Sequence, residues 1–291
     1  MKKSDLRTPI IYILTCIIVI LLIILKKMDD QNKNRTLEKR MEQLETKVES
    51  VKKAQKKKQH KLSPEEVPPQ IKGKIAIIID DFGYRNDEIS DGFLDLNAAL
   101  TYAIIPGHEH SRSFSEKAVN AGYEVIVHMP MENTGKTYGE EEFVLTTDMD
   151  NATITRRINY ALAQIPAAIG MNNHQGSKAS ADQYVMSAIA KVLKKENKFF
   201  VDSRTTIETI AEATMEIYGV PTARRNVFLD NNDDEEEIKK QLMKLVRKAE
   251  RDGSSIGIGH VKPKTLKVLQ KQIPILQKQG FKFEFVSKML H

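Results

Sequence analysis

From residue 71 onward, short apolar runs rich in β-branched residues alternate with stretches of helical spacing, and this limits the fold more than any other feature of the chain. The runs are "KIAIII", "TYAII", "EVIVH", "AAIGM", "FFVD", "NVFL", "SIGIG" and "FKFEFV". The clearest intervening segment is "DDEEEIKKQLMKLVRKAERDG". There Ile238, Leu242, Leu245 and Ala249 share one face, acids crowd the start, bases the end, and Gly253 follows as a stop. Strand and helix in alternation predict an α/β domain with a mainly parallel sheet. Roughly 220 residues suit one such domain, either a barrel or a doubly wound sheet.

Polar residues fall at the same end of these runs. Asp80 and Asp81 follow the first, Pro106 the second and His128 the third; Asn172, Asn173 and His174 follow the fourth, Asp202 the fifth, Asp230 the sixth and His260 the seventh. In barrels and open parallel sheets alike, that edge is where ligands bind. Standing alone, two adjacent acids would as readily be a turn and a helix cap. A lone histidine ending a strand is more often a hydrogen-bonded structural residue than a ligand. Three histidines and four acids on one edge are different, because crowding them without a cation is costly.

A metal is therefore expected, one divalent ion and by its donor types zinc. Catalytic zinc takes three protein ligands from His, Asp and Glu and leaves a position for water. Asp81, His128 and His174 offer that set from three strand ends. Asp80, beside the ion and not bound to it, is then the group that takes a proton, and His260 is placed to act as general acid. Gly83 gives the turn after the aspartate pair its backbone freedom.

Taken together, "IAIIIDDFGY", "VIVHMPME", "MNNHQGS", "FVDSRT", "NVFLD" and "IGIGHVKP" resemble the divergent polysaccharide deacetylase family, a distant branch of the metal-dependent carbohydrate N-deacetylases. The resemblance runs in order from about residue 72 to 290. It implies a distorted (β/α) barrel and removal of acetyl groups from N-acetylated sugars with one divalent metal. It also implies Asp80 as base, Asp81 and His128 as metal ligands and His260 as general acid. The usual pair of metal histidines, H-S/T-x-x-H, is reduced here to "HMPME", one histidine followed by Pro130. His174 is taken to replace the missing ligand; Glu132, and His108 or His110 of "GHEH", are weaker substitutes. Asn173, Asp202, Arg204 and Asp230 are expected to bind substrate or support the ligands. The relatives' arginine and tryptophan motifs have no counterpart, and with no Trp in the chain a sugar-stacking groove is poorly supplied.

Before residue 71 the chain changes character. Residues 10–25, "IIYILTCIIVILLIIL", are uncharged and flanked by Lys2, Lys3 and Arg7 on one side and Lys26 and Lys27 on the other. A helix of that length spans about 24 Å against a hydrocarbon core of about 30 Å, a gap that snorkelling lysines close. The "KKMDDQNKNR" that follows lacks the small residues of a signal-peptidase site, so residues 1–27 are read as an uncleaved anchor with the remaining chain outside. As the lone cysteine, Cys16 excludes an internal disulfide.

Residues 28–70 are read as a basic stalk and linker. Leu37, Met41, Leu44, Val48 and Val51 keep coiled-coil spacing for about two heptads, which suits a short dimer stalk or a single solvated helix. "SPEEVPPQ" then breaks any helix ahead of the domain at 71–291. Residues 26–62 hold 13 Lys and Arg against 6 Asp and Glu, so the net +6 of the chain belongs to this segment and the globular part is mildly acidic. That excludes nucleic acid as the partner; the basic run meets anionic lipid or wall polymer, or is a solvated linker. Two functions are compatible with these features: a membrane-anchored deacetylase of an N-acetylated envelope glycan such as peptidoglycan, or a glycan-binding or scaffolding protein on the same fold. Phosphoester hydrolysis fits the acids but lacks a Gly-rich phosphate cradle.

Overall fold

The computed structural model describes Lys26, residues 71–136 and residues 140–291. The expected anchor, stalk and linker thus lie outside the described residues, Lys26 apart. Among the described residues no helix is long and apolar enough to cross a membrane. The described residues from 71 onward belong to one compact unit.

Its strands are β1 (Gly73–Phe82), β2 (Thr101–Ile104), β3 (Glu124–Met131), β4 (Gly170–Gln175), β5 (Phe199–Asp202), β6 (Thr222–Arg224), β7 (Val227–Phe228), β8 (Ser254–His260) and β9 (Phe281–Phe283). Between them run helices α1 (Glu88–Leu94), α2 (Ser111–Asn120), α3 (Asn151–Gln164), α4 (Gln183–Lys195), α5 (Ala211–Tyr218), α6 (Glu235–Asp252) and α7 (Pro263–Lys278). The nine strands form one sheet in the order β6-β5-β4-β3-β2-β1-β8-β7, with β9 also on β1, and the pairings are parallel. The two outermost strands, β6 and β7, are separated in sequence by Arg225 and Asn226 alone. The sheet must therefore curl until its edges meet, yet no ladder joins them. The result is a curled half-barrel, a distorted and open form of the expected barrel and not a doubly wound sheet.

Local chemistry accounts for the helices. Asp234 caps α6 by accepting from the backbone of Glu236 and Glu237, three glutamates fill its first turn, and Gly253 ends it at φ 83°. Asp87, Asp150 and Asp182 cap α1, α3 and α4 in the same way. Apolar side chains face the sheet, as with Ile238, Leu242, Leu245 and Ala249 of α6, all fully buried.

Strand periodicity divides the core in two. Ile75, Ile77 and Ile79 of β1 pack outward with the helices, while Ala76 and Ile78 point into the barrel. Val125 and Val127 face outward and Ile126 inward; Met171 and Phe200 lie outside, and Val201, Ile256 and Ile258 inside. The inner core is small, which is why alanines (76, 103 and 223) line it, and Val286 of the short turn Val286–Lys288 packs into it. Extended one step toward the C-terminal edge, the inward parity passes through Asp80, His128, Asn172, His174 and His260. Hydrocarbon thus fills the barrel and polar groups cap one mouth.

Two strand assignments from sequence are corrected. The fourth strand runs Gly170–Gln175, not Ala167–Met171, so Asn172, Asn173 and His174 lie within it. Polarity misleads there because Asn172 and His174 pair with other polar groups inside the mouth. Thr222–Arg224 is a ninth strand, too short to show a period of two.

The aspartate pair needs a special backbone. In a regular strand Asp80 and Asp81 would point to opposite faces. Instead Asp81 sits at φ 69°, and the β1–β2 register shifts between Ile79 and Phe82. Asp81 is thus the extra residue of a bulge, and Phe82 returns to the outer core, stacked 4.0 Å from Phe114. A left-handed residue costs about 1–2 kcal/mol, and aspartate tolerates the conformation better than most. Gly83 completes the turn at φ 121°, where a Cβ would stand 2.9 Å from Ile105 O and from Ser111 Oγ. Gly83→Ala is expected to destabilise the domain by about 1–3 kcal/mol, read as a lower denaturant midpoint. An unchanged midpoint would show that the turn relaxes freely.

Candidate metal centre

Register brings the inward polar residues together. Asp80 of β1 pairs with His260 of β8, and His128 and Pro130 of β3 pair with Asn172 and His174 of β4. At the centre, His128 Nε2 lies 3.3 Å from Asp81 Oδ1, His174 Nδ1 lies 3.2 Å from the same oxygen, and the two nitrogens are 3.0 Å apart. Ligands about 2.0–2.1 Å from a tetrahedral zinc stand about 3.3 Å from one another. Asp81 Oδ1 is also buried and accepts no well-aligned hydrogen bond. An orphaned carboxylate oxygen facing two imidazole nitrogens fits a divalent cation, and among the described residues this is the one such group of ligand-type side chains.

Electrostatics and hydrogen bonding prepare the triangle. Asn172 Nδ2 donates to Asp80 Oδ1 at 2.9 Å, which orients its Oδ1 to accept from His128 Nδ1 at 2.8 Å. Held in that tautomer, neutral His128 keeps its Nε2 lone pair toward Asp81 and His174. Burial disfavours an imidazolium at His128, but the charges of Asp80 and Asp81 outweigh it and push the group up to about 9. Burial alone would raise Asp81, and the close imidazoles of His128 and His174 instead hold it well below the usual carboxylate range. Without a cation, then, a proton on His128 serves as the counter-charge. Binding of a cation there would displace that proton.

Asp80 and His260 flank the triangle. Asp80 is 2% exposed, and its burial raises it above the ordinary carboxyl range despite the charges of His128 and His260. Its Oδ2 is 3.6 Å from His128 Nε2. His260 Nδ1 donates to Asp230 Oδ1 at 2.7 Å, while Asp230 Oδ2 accepts from the His260 backbone and from Thr265 Oγ1, each at 2.7 Å. His260 Nε2 therefore faces the triangle, 4.0 Å from Asp81 Oδ2. Burial works against the His260 imidazolium, yet the Asp230 hydrogen bond and charge keep its pKa above the usual imidazole value.

The other residues singled out in the sequence are distributed around this centre. Asn173 clamps the wall, donating to Gln175 O and accepting from Ser203 N, each at 2.8 Å. Asp202 accepts from Arg204 N and from Thr209 Oγ1 and shapes the loop that carries Arg204, whose φ is 51°. Glu132 is engaged elsewhere, accepting from Thr147 and Lys178. His108 lies 3.0 Å from Glu140 and against the Tyr84 ring, and His110 immediately precedes α2. Neither joins the triangle. Asn172 and Arg225 carry more of the site than the sequence suggests; inward parity marks Asn172, whereas nothing local marks Arg225.

Asp80, His128 and His260 open on a cavity of about 300 Å³. A larger hollow of about 510 Å³ at the opposite edge is lined by ion-paired groups, Glu212 with Arg224 and Glu216 with His291.

A sequence profile described as divergent polysaccharide deacetylase matches residues 77–290. The uncharacterized protein YibQ of Escherichia coli (strain K12) is 37% identical over 205 residues, which cover 70% of this chain and 64% of that protein. The chain thus spans less than two thirds of that relative's length. An uncharacterized protein of Haemophilus influenzae is 34% identical over 197 residues, 68% of this chain and 70% of the other. In shape, the crystal structure of an uncharacterized protein from Agrobacterium tumefaciens C58 matches with a TM-score of 0.71 at 20% identity, over 75% of this chain and 89% of that one. A putative cellobiose-phosphate cleavage protein from Enterococcus faecalis V583 matches at 0.55 and 13% identity, over 75% and 99%. These two likenesses establish the curled α/β fold and nothing more. With the profile covering nearly the whole half-barrel and including the residues of the triangle, the chain belongs to the divergent polysaccharide deacetylase family.

Proposed function

We propose that this chain is a zinc-dependent hydrolase that removes acetyl groups from an N-acetylated envelope glycan such as peptidoglycan, held outside the membrane by residues 10–25. The observation that carries the reading is the triangle of Asp81, His128 and His174, flanked by a carboxylate on one side and an imidazole on the other. Two nitrogens and one carboxylate oxygen are a donor set that zinc favours. The uncharged run at 10–25 supports the anchor.

A divalent cation held by the three ligands would supply Lewis acidity toward the acetyl oxygen and toward a water. Asp80 Oδ2 removes a proton from the attacking water, and its burial-raised pKa makes it a stronger base than an ordinary aspartate. As the C–N bond breaks, the proton on His260 Nε2 passes to the departing nitrogen, which leaves acetate and a free amino sugar. Asp230 fixes the His260 tautomer and stabilises its charge. Asn172 holds Asp80 and His128 in one plane of hydrogen bonds.

A pH dependence follows. The general acid must be protonated, so activity falls as pH rises through the His260 pKa, which Asp230 holds above the usual imidazole value. Asp230→Asn removes that charge and is expected to move the alkaline limb of kcat to lower pH. A limb that stays in place would assign it to another group.

The reading is tested by metal analysis of the full chain together with acetate release from chitooligosaccharides and peptidoglycan. One zinc per chain with metal-dependent acetate release is expected. Full activity in a metal-free preparation overturns the proposal, and glycan binding without acetate release would favour a binding protein.

A further inference from the structure

The cavity wall facing Asp80 and His260 is cationic, since Arg204 and Arg225 both line it beside Ser203. Arg225 occupies the two-residue link where the sheet edges meet. Its Nε donates to Ser203 O at 2.6 Å, its Nη2 donates to Arg204 O at 2.8 Å, and its guanidinium lies 5.0 Å over the Phe228 ring. Those contacts fix the plane of the guanidinium without neutralising it, and none of them uses Nη1. Arg204, one residue beyond Ser203, forms no hydrogen bond or ion pair through its guanidinium among the described residues. Asp202 lies within the field of both, but its oxygens are taken by Arg204 N and Thr209 Oγ1. Of the acids nearer the triangle, Asp80 and Asp81 face His128, and Asp230 is paired with His260. Asp202 and Asp80 lie in the field of Arg225, yet neither Arg204 nor Arg225 is in ion-pair contact with a carboxylate among the described residues, so both guanidinium groups keep free donors toward the cavity.

A second observation lies between them. Ser203 is 6% exposed, and its Oγ is buried with no hydrogen-bond partner. A buried hydroxyl left unpaired costs about 1–3 kcal/mol, so it calls for an acceptor. Guanidinium groups with a fixed plane favour carboxylate and phosphate oxygens, which accept two parallel N–H bonds. A neutral glycan could pair the hydroxyl through its own oxygens but would leave the two guanidinium charges without an anionic partner.

We infer that the substrate carries an anionic substituent, a carboxylate or a phosphate, seated on Arg204, Arg225 and Ser203 while its N-acetyl group faces Asp80 and His260. The inference rests on the deacetylase reading of the same site and narrows it to acidic N-acetylated sugars.

The test compares three probes on the zinc-loaded full chain: N-acetylglucosamine, N-acetylmuramic acid with its added carboxylate, and N-acetylglucosamine 6-phosphate. Binding is followed by calorimetry and acetate release is measured separately. At least one acidic probe is expected to bind about tenfold more tightly than the neutral one, with the preference shrinking as salt rises. Whichever acid is favoured identifies the substituent. Arg225→Gln and, independently, Arg204→Gln are expected to weaken the acidic probe about tenfold more than the neutral one. Equal binding of acidic and neutral probes, no binding of either acidic probe, or equal losses in the variants overturns the inference. Selective acid binding without acetate release would instead sustain it and remove the hydrolase reading. Acetate released equally from neutral and acidic probes would do the reverse.

Discussion

Asp80→Asn is expected to lower acetate release by about 10²–10⁴-fold, the range that a positioned general base contributes, while zinc content stays at the wild-type level. The two readouts separate because the ligand atoms belong to Asp81, His128 and His174, whereas Asp80 Oδ2 stands 3.6 Å from His128 Nε2. Asparagine keeps the shape and an oxygen to accept from Asn172 Nδ2, so the hydrogen-bonded plane survives. What it loses is the capacity to take a proton. Loss of the metal along with activity would make Asp80 a ligand, and near-normal turnover would move the base elsewhere.

His128→Ala carries the second large effect, now on both readouts. It deletes the ligand nitrogen and the group that faces both Asp80 and Asp81, leaving the buried Asp80 and the partly exposed Asp81 side by side at one mouth. Zinc is expected to be lost. Acetate release should fall by about 10³-fold or more, since several kcal/mol of Lewis-acid stabilisation disappear at about 1.4 kcal/mol per tenfold. Stability falls as well, because Asn172 loses its partner and burial drives Asp80 further toward its neutral form. A folded His128→Ala protein that retains one tightly held zinc would place the metal elsewhere. Circular dichroism distinguishes unfolding from loss of the ion.

Much of this centre is legible in the chain because strand periodicity is local. Ala76, Ile78 and Asp80 share one parity, as do Ile126 and His128, or Ile256, Ile258 and His260; a reader who counts by twos along each strand arrives at one set of inward residues. Helix α6 is equally legible, from its Asp234 cap to its Gly253 stop. The fourth strand is harder. Its polar residues read as the loop beyond a strand because no short-range signal says that Asn172 and His174 will find partners on β1 and β3. The strand Thr222–Arg224 is shorter than any pattern that could announce it.

By itself, then, the sequence determined the α/β class, the edge at which chemistry gathers and most of the residue types found there, since alternation and capping act over a few residues. Tertiary structure alone decided three further matters. The bulge at Asp81 turns two consecutive carboxylates toward one site, against the alternation of any regular strand. The β3–β4 register sets His174 against His128 and so completes a triangle that the "HMPME" segment lacks. The curl of the sheet brings Arg225, between its two edges, to the wall of the same cavity. Each depends on how segments tens of residues apart come into register, and that free energy belongs to the assembled sheet, not to any stretch of chain within it.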